Sequence, residues 1–423
     1  MKTFGRVLAA LGIGVCSAFV ITARADDWTQ WRGQKRDGIS QEKGLLRSWE
    51  SGSPKLLWQI KNVGSGYSTP SVAGNRLYLQ SNEGTESESV RAFSTKDGAP
   101  LWSTKIGKVG NPLQQPNYPG ARSTPTIEGK FLYALGSDGD LVCLSLLNGN
   151  IVWKKNLRTD FGGKPGVWAY AESPLIDSEK LIVSPGGETA SLIALDKKSG
   201  NPLWKTAVPG EGMASYSSAI VMEVGGVRQY VQYLANGLTG VDAKTGKVLW
   251  RYDKSVDKQY RMHAATPVAS GDLVFSSAAS GGGVARIGEK AGSYTAEQVY
   301  NERKVPNALG GTIKIGDYLY GTTSSQLMCL NYATGQVVWA DRSVGAGSLC
   351  YAEGNLYVHG ENGEVALVEA TPKAYTEKGR FTPPNAPDRG ASKAWVYPVV
   401  SQGRLYIREL NALWCYDVSA KKE

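Results

Sequence analysis

Histidine is nearly absent from this 423-residue sequence, which contains only His263 and His359. Two histidines leave little room for a histidine-based metal centre or for a haem protein with several axial histidines. The motif Cys-x-x-Cys-His is missing as well, which excludes attachment of a c-type haem. Beyond residue 25 no stretch has 18 uninterrupted apolar residues, and helical periodicity is nowhere sustained. Neither a membrane-spanning helix nor a helical bundle is therefore predicted.

Glycine, tryptophan and tyrosine are abundant instead. Glycine accounts for 51 residues, about 12% of the chain against a usual ~7%, and there are 12 Trp and 21 Tyr. Glycine supplies tight turns, and aromatic residues favour strands. The composition thus predicts many short strands joined by tight turns.

The first 25 residues read as a secretory signal peptide. A basic start at Lys2 and Arg6 precedes an apolar run over 7–21, and Ala23-Arg24-Ala25 provides a cleavage site. We therefore expect an exported protein, periplasmic or extracellular, with no transmembrane segment after cleavage. An N-terminal extension would follow over 26–50.

The charge balance is basic but modest, at +9, and Lys and Arg are interspersed with acidic residues. This is typical of a solvated surface, and no nucleic-acid partner is expected.

Four cysteines follow the predicted signal peptide, and three of them share one position of a repeat. They are expected to be buried free thiols, because equivalent positions in different repeats lie too far apart to form a disulfide. The four are Cys143, Cys329, Cys350 and Cys415.

An internal repeat is the strongest signal in the chain. A glycine is followed four residues later by tryptophan in five copies, with a looser copy that ends at Trp58. An apolar strand with an Asp- or Asn-containing turn precedes the glycine, and a Ser-Thr-Pro-type segment with two further strands follows the tryptophan. The five copies end at Trp102, Trp153, Trp204, Trp250 and Trp339.

The repeat predicts an all-β fold over residues 51–420, an eight-bladed β-propeller of four-stranded antiparallel blades. The Ser-Thr-Pro-type segment with its two strands occurs eight times at a spacing of about 47 residues, the length of one blade. The chain ends on a strand around Trp414 with no partner after it, and begins with a strand around Trp58 with none before it. We predict that these strands share one blade and close the ring, so that no edges are left exposed.

Six tryptophans are predicted to be structural, because an indole fills the wedge between neighbouring blades. They are Trp58, Trp102, Trp153, Trp204, Trp250 and Trp339. Tyr300 and Phe381 stand near the same position in the two units that lack the tryptophan.

The repeats closely resemble the pyrroloquinoline-quinone-type (PQQ-like) β-propeller repeat. The resemblance is carried by Ala194-Leu195-Asp196 through Trp204, by Val241-Asp242 through Trp250, by Leu330 through Trp339 and by the segment 27–38. The family includes quinoprotein alcohol dehydrogenases and the non-catalytic propeller lipoprotein of the outer-membrane assembly machine. The dehydrogenases are expected to carry adjacent cysteines against the quinone and a calcium ion held by Glu, Asn and Asp. This chain has no adjacent cysteines.

A ligand is expected in the central channel or at one mouth of it, where long loops converge. The candidate ligand-binding residues supply aromatic walls for a planar ligand, together with Arg122 for an anionic group. They are Tyr67, Arg122, Trp168, Tyr170, Glu172, Tyr216, His263, Asn307 and Trp395. A channel lined only by polar groups and water is the competing interpretation, and no metal site or catalytic residue is assigned.

The predicted function is that of an exported, monomeric, non-catalytic binding or scaffolding module. Its partner would be an envelope protein or a small ligand. The alternative is a dehydrogenase that oxidises an alcohol or a sugar with PQQ and calcium.

Overall fold

The computed structural model describes residues 27–49, 52–110, 120–210, 213–259 and 261–420. The predicted signal peptide lies outside the described residues. The described chain forms eight antiparallel sheets, seven of four strands and one with a fifth strand added in parallel. The fold prediction, an eight-bladed all-β propeller, is therefore confirmed.

Each blade runs from an innermost strand to an outermost one. Blades 1 and 2 comprise β3 (Ser71–Ala73), β4 (Arg76–Glu83), β5 (Ser87–Ser94), β6 (Pro100–Lys108), then β7 (Thr126–Glu128), β8 (Phe131–Leu135), β9 (Asp140–Ser145), β10 (Ile151–Asn156). A short helix, α1 (Leu157–Phe161), follows. Blades 3 and 4 comprise β11 (Leu175–Asp177), β12 (Lys180–Val183), β13 (Leu192–Asp196), β14 (Pro202–Thr206), then β15 (Ile220–Val224), β16 (Val227–Leu234), β17 (Gly237–Asp242), β18 (Val248–Tyr252).

The second half of the ring continues in the same way. Blades 5 and 6 comprise β19 (Val268–Ser270), β20 (Leu273–Ala278), β21 (Gly281–Lys290), β22 (Ser293–Glu302), then β23 (Thr312–Ile315), β24 (Tyr318–Thr322), β25 (Leu327–Asn331), β26 (Val337–Asp341). Blade 7 comprises β27 (Gly347–Ala352), β28 (Asn355–Gly360), β29 (Val365–Glu369), β30 (Glu377–Phe381), and blade 8 comprises β31 (Val399–Ser401), β32 (Arg404–Glu409), β33 (Ala412–Asp417) and the N-terminal β2 (Lys55–Ile60).

The ring closes in blade 8, where the first long strand pairs with the last one. Trp58 of β2 is opposite Cys415 of β33, and Gln59 is opposite Trp414. The predicted closure, three strands from the C-terminal end and one from the N-terminal end, is therefore confirmed. The four predicted thiols are free and buried, so backbone pairing and packing hold the ring without a disulfide among the described residues.

The Gly-x-x-x-Trp spacing has a geometric cause at the blade boundaries. Gly149 of blade 2 has φ +76 and lies against the Trp102 ring of blade 1, where a Cβ atom would come 2.6 Å from Trp102 Cε3. Gly200 lies against Trp153 and Gly246 against Trp204 in the same way. The repeat glycine thus adopts the positive φ of its own turn and leaves space for the aromatic ring of the preceding blade.

Each outermost strand also carries a β-bulge immediately before the tryptophan position. In β10, Ile151 pairs with Leu144 and Trp153 with Cys143, so Val152 is skipped. The extra residue turns outward, and Val152 is 48% exposed although it is aliphatic. The tryptophan can therefore point into the blade boundary, where Trp153 Nε1 donates to the Lys197 carbonyl of blade 3 at 3.0 Å.

The two units that lack the tryptophan are complete blades. Tyr300 occupies the tryptophan position of blade 5, and a Cβ atom on Gly335 of blade 6 would come 2.7 Å from its ring. In blade 7 the position after the bulge is Gly379, against which Trp49 lies. Phe381 stands two residues beyond that position and packs edge-on against Tyr416 of blade 8, with ring centroids 4.8 Å apart. Trp250 differs, because its Nε1 donates to Gln229 Oε1 within its own blade.

Residues 27–49, which we call the plug, cross the central channel. The Thr29 carbonyl accepts from Ile127 N–H of blade 2, and three residues later Arg32 donates to the Thr312 carbonyl of blade 6, on the opposite side of the ring. β1 (Ile39–Ser40) then pairs in parallel with β27 of blade 7. No helix in the described part of the chain is long and apolar enough to cross a membrane.

Candidate functional site

A funnel opens at the mouth of the channel where the loops between blades converge. Every innermost strand runs in the same direction, so the loops that lead into these strands meet at one end of the ring. The funnel has a volume of about 360 Å³. Its walls are mostly aromatic and apolar, and its lining residues are Trp31, Tyr67, Arg122, Trp168, Ala171, Tyr216, Ser218, Met262, Ala264, Leu309, Trp395 and Tyr397.

The aromatic walls are held in place by hydrogen bonds from their polar atoms. Trp31 Nε1 donates to Thr266 Oγ1 at 2.8 Å, and Trp395 Nε1 donates to Glu361 Oε1 at 2.9 Å. The Tyr397 hydroxyl donates to the Leu309 carbonyl at 2.9 Å, and its ring packs edge-on against Trp31. These contacts fix the rings before a ligand arrives, which reduces the entropic cost of binding.

Arg122 is the charged residue among the described side chains that line the funnel. Its Nη1 donates to the Trp168 carbonyl at 2.7 Å, and Trp168 N–H in turn donates to the Tyr216 hydroxyl at 3.1 Å. Burial lowers the pKa of the Arg122 guanidinium, and the attraction of the Glu88 carboxylate opposes that shift. The funnel therefore presents one oriented cation within an aromatic wall.

Five of the nine predicted ligand-binding residues come together in the funnel. Their side chains belong to loops that enter five different blades, which explains why they are distant in sequence. They are Tyr67, Arg122, Trp168, Tyr216 and Trp395.

Two predicted residues, Tyr170 and Glu172, lie behind the funnel wall. The Tyr170 hydroxyl donates to the Pro185 carbonyl at 2.8 Å, and its ring is part of the core between blades 2 and 3. The Glu172 carboxylate accepts from the Ser184 hydroxyl at 3.0 Å and from Gln232 Nε2 at 2.8 Å. Their polar atoms are thus occupied within the protein, and neither residue lines the funnel.

His263 and Asn307 do not line the funnel either. The His263 ring stacks on Tyr233 with centroids 4.1 Å apart, and its Nε2 accepts from Asp257 N–H at 3.1 Å. Burial lowers the pKa of His263 to about 4, so the ring stays neutral at physiological pH. Asn307 Nδ2 donates to the Ala279 carbonyl at 3.1 Å. Both side chains fix loops that surround the funnel.

Sequence reasoning missed several lining residues, notably Trp31, Met262 and Tyr397. Trp31 reaches the funnel because the plug crosses the channel, and no repeat spacing indicates that path. Met262 is the residue before His263, and its sulfur accepts from Trp168 Nε1 at 3.0 Å. Tyr397 lies two residues after Trp395 in the same loop, and that closeness is the signal that could have identified it as a wall residue.

Comparison with known proteins identifies the family. The model of a PQQ-repeat family, described as outer membrane protein assembly factor BamB, matches residues 34–166 and 86–341. Together these matches cover more than half of the chain. The chain belongs to this PQQ-repeat family.

The relatives are distant. Tetrathionate hydrolase from Acidithiobacillus ferrooxidans is 23% identical over 227 residues, which is 51% of this chain and 40% of that protein. BamB from Shewanella oneidensis is 22% identical over 226 residues, or 52% and 51% of the two chains. This chain thus spans about half or less of the length of these curated relatives.

Solved structures agree on the architecture. BamB from Moraxella catarrhalis superposes with a TM-score of 0.61 at 14% identity, over 88% of this chain and 100% of that one. Quinohemoprotein alcohol dehydrogenase ADHIIG from Pseudomonas putida HK5 gives a TM-score of 0.52 at 13% identity, over 94% and 81%. At these identities the likeness establishes the fold alone.

The funnel residues do not fit a quinone with a calcium ion. Calcium requires six to eight oxygen ligands, usually with several carboxylates. No Asp, Glu or Asn is among the described lining residues. Glu172, the carboxylate among the predicted site residues, accepts hydrogen bonds from the N–H and hydroxyl groups of Ser184 and from the Gln232 amide nitrogen, which are donors that compete with a cation. No catalytic step is therefore assigned to these groups.

Proposed function

We propose that this PQQ-repeat propeller is an exported, non-catalytic binding module whose ligand occupies the funnel. The ligand is a planar, largely apolar molecule with one negatively charged group. The observation that carries the proposal is the pre-formed aromatic wall with the single cation of Arg122. Aromatic faces bind flat ligands, and a guanidinium binds carboxylate or sulfonate oxygens in a fork geometry.

The acid–base groups of the funnel support a role in binding. The ionisable side chains among its described lining residues are Arg122 and three tyrosines, and burial raises the pKa of Tyr216 and Tyr397. A general acid or base works best with a pKa near the working pH. The described lining offers no such group, whereas affinity needs only the wall and the cation.

The probe we choose is 8-anilinonaphthalene-1-sulfonate, an aromatic anion with a flat naphthalene ring that becomes fluorescent in apolar sites. The folded protein should bind it saturably. Arg122→Gln should weaken binding by roughly 10–100-fold, the effect of losing a charge-assisted hydrogen bond. Trp168→Ala should weaken it through loss of ring contact. Arg251→Gln, on the exposed rim, is the matched control and should bind like wild type.

The dehydrogenase alternative is tested on the same preparation. Addition of PQQ and calcium should give neither a change in quinone absorbance nor alcohol-dependent dye reduction. Dye reduction would refute the non-catalytic proposal. Equal affinity of wild type and Arg122→Gln for the anilinonaphthalene probe would refute the assignment of the funnel as its binding site.

A further inference from the structure

The outer rim of blades 1–3 exposes a row of aliphatic side chains. Leu101, Val152 and Leu203 are the bulge residues of β6, β10 and β14, and they are 45%, 48% and 51% exposed. Blade 2 adds Leu147 and Ile151, which are 64% and 46% exposed. A bulge directs these side chains to solvent, but it does not require them to be apolar.

Neighbouring blades interlock beside these residues. The turn at Gly149 of blade 2 lies against Trp102, the residue after Leu101 of blade 1, and Arg76 Nη1 of blade 1 donates to the Leu147 carbonyl at 2.7 Å. The turn at Gly200 of blade 3 lies against Trp153, the residue after Val152. We call the five aliphatic residues named above the rim strip.

The three strands that carry the rim strip are rich in lysine. β6, β10 and β14 carry Lys105, Lys108, Lys154, Lys155 and Lys205, and these three strands contain no Asp or Glu. Lys154 pairs with Asp140 at 2.9 Å. In the described part of the chain no ion pair is found for Lys105 or Lys155.

The corresponding strands of blades 5 and 6 have the same bulge but carry acidic residues and no lysine or arginine. Val338 is the bulge residue of β26 in blade 6 and is 41% exposed. Asp341 follows it in β26, and β22 of blade 5 contains Glu297 and Glu302. The repeat therefore explains an exposed residue at each bulge, but not the presence of five lysines and no Asp or Glu within the three strands that carry the rim strip.

We propose that the rim strip, centred on blade 2, binds the surface of a membrane that contains anionic phospholipid. Aliphatic side chains enter the boundary between headgroups and acyl chains, while lysine ammonium groups reach lipid phosphates. The composition favours lipid over protein, because protein interfaces are enriched in Tyr, Trp, Met and Arg and depleted in Lys. The bulges in these edge strands also disfavour the addition of a strand from a partner.

The proposal is tested by co-sedimentation of the folded chain with vesicles of phosphatidylcholine, with or without phosphatidylglycerol. The protein should sediment with the phosphatidylglycerol vesicles at low ionic strength and remain in solution with pure phosphatidylcholine. Binding should weaken as salt is added, because surface charges are screened.

Two pairs of variants separate the rim strip from the general properties of the surface. Lys105→Ser combined with Lys155→Ser should weaken vesicle binding roughly 30-fold, while Lys304→Ser beside blade 5 should not. Val152→Ser should weaken binding measurably, and Val338→Ser, at the equivalent bulge of blade 6, should leave it unchanged. Both valines are exposed, so neither change should disturb folding.

Three results would overturn the proposal. One is the absence of sedimentation with phosphatidylglycerol vesicles at low salt. Another is equal loss of binding in Val152→Ser and Val338→Ser, which would indicate non-specific adsorption. The third is capture of an acidic protein through the rim strip by a chain that does not bind vesicles.

Discussion

Replacing Gly149 with alanine tests the explanation given for the repeat. The added methyl group would lie 2.6 Å from Trp102 Cε3 and 2.5 Å from Thr104 Oγ1, across the boundary between blades 1 and 2. The backbone there has φ +76, which L-residues rarely adopt. Gly149→Ala therefore combines a backbone cost with a steric clash.

Gly129→Ala is the matched control. Gly129 lies in the β7–β8 turn of the same blade with φ +56, and a Cβ atom there would meet nothing within 4 Å. Its substitution should cost only the backbone contribution, about 1 kcal/mol. Gly149→Ala should add an overpacking cost of roughly 1–3 kcal/mol, because the interlocked ring of Trp102 must move. The expected total is about 3 kcal/mol.

The assay is equilibrium unfolding in guanidinium chloride, followed by tryptophan fluorescence. Gly149→Ala should lower the midpoint clearly more than Gly129→Ala does. When the Trp102→Leu substitution is present as well, the cost of Gly149→Ala should fall by at least about 1 kcal/mol, since the ring that clashes is gone. Equal destabilisation by the two alanines, or an unchanged cost of Gly149→Ala in the Trp102→Leu background, would refute the proposed interlock.

Three other results are expected. Burial raises the pKa of Glu88 from 4.5 to about 7. Between these pH values the folded state binds more protons than the unfolded state, so the contribution of Glu88 to stability falls as pH rises. In urea titrations Glu88→Gln should flatten this dependence of the unfolding free energy on pH, and an unchanged dependence would contradict the prediction. Burial lowers the pKa of His263 from 6.5 to about 4, so its contribution, present above pH 6.5, is lost as pH falls through 4. Its ring-proton NMR signal should still be that of neutral imidazole at pH ~5, and a midpoint near 6.5 would count against burial. Burial also raises the pKa of the four described thiols. Ellman's reagent should therefore label none of the four in the folded protein and all four after denaturation. Rapid labelling of these thiols in the folded protein would show that they are exposed. The four are Cys143, Cys329, Cys350 and Cys415.

The architecture could be predicted because a propeller repeats one local pattern eight times. A turn glycine, a bulge and a wedge residue are needed at most blade boundaries, so the spacing from Gly149 to Trp153 recurs in five copies along the chain. Closure of the ring could also be predicted, because the unmatched strand near each end of the repeat region completes a blade when it pairs with the other unmatched strand. Tyr300 could be placed because the pattern continues on either side of it.

The candidate site was only partly predictable. Loop residues such as Trp168 and Trp395 stand out because long loops in a propeller converge at one mouth. Whether a loop residue faces the funnel or the core depends on packing between blades, which spacing does not encode. Tyr170 and His263 point into the core for that reason.

What the amino-acid sequence determined by itself was local: strands, turns, the number of blades and the position of the aromatic wedge in the blades that carry the Gly-x-x-x-Trp spacing. Those features follow from steric and hydrophobic preferences within one repeat. The course of the plug, the Trp31 wall and the one-sided charge of the rim strip were decided only in the folded ring. They depend on which blades face or adjoin each other, and that is a property of the closed circle rather than of any single repeat.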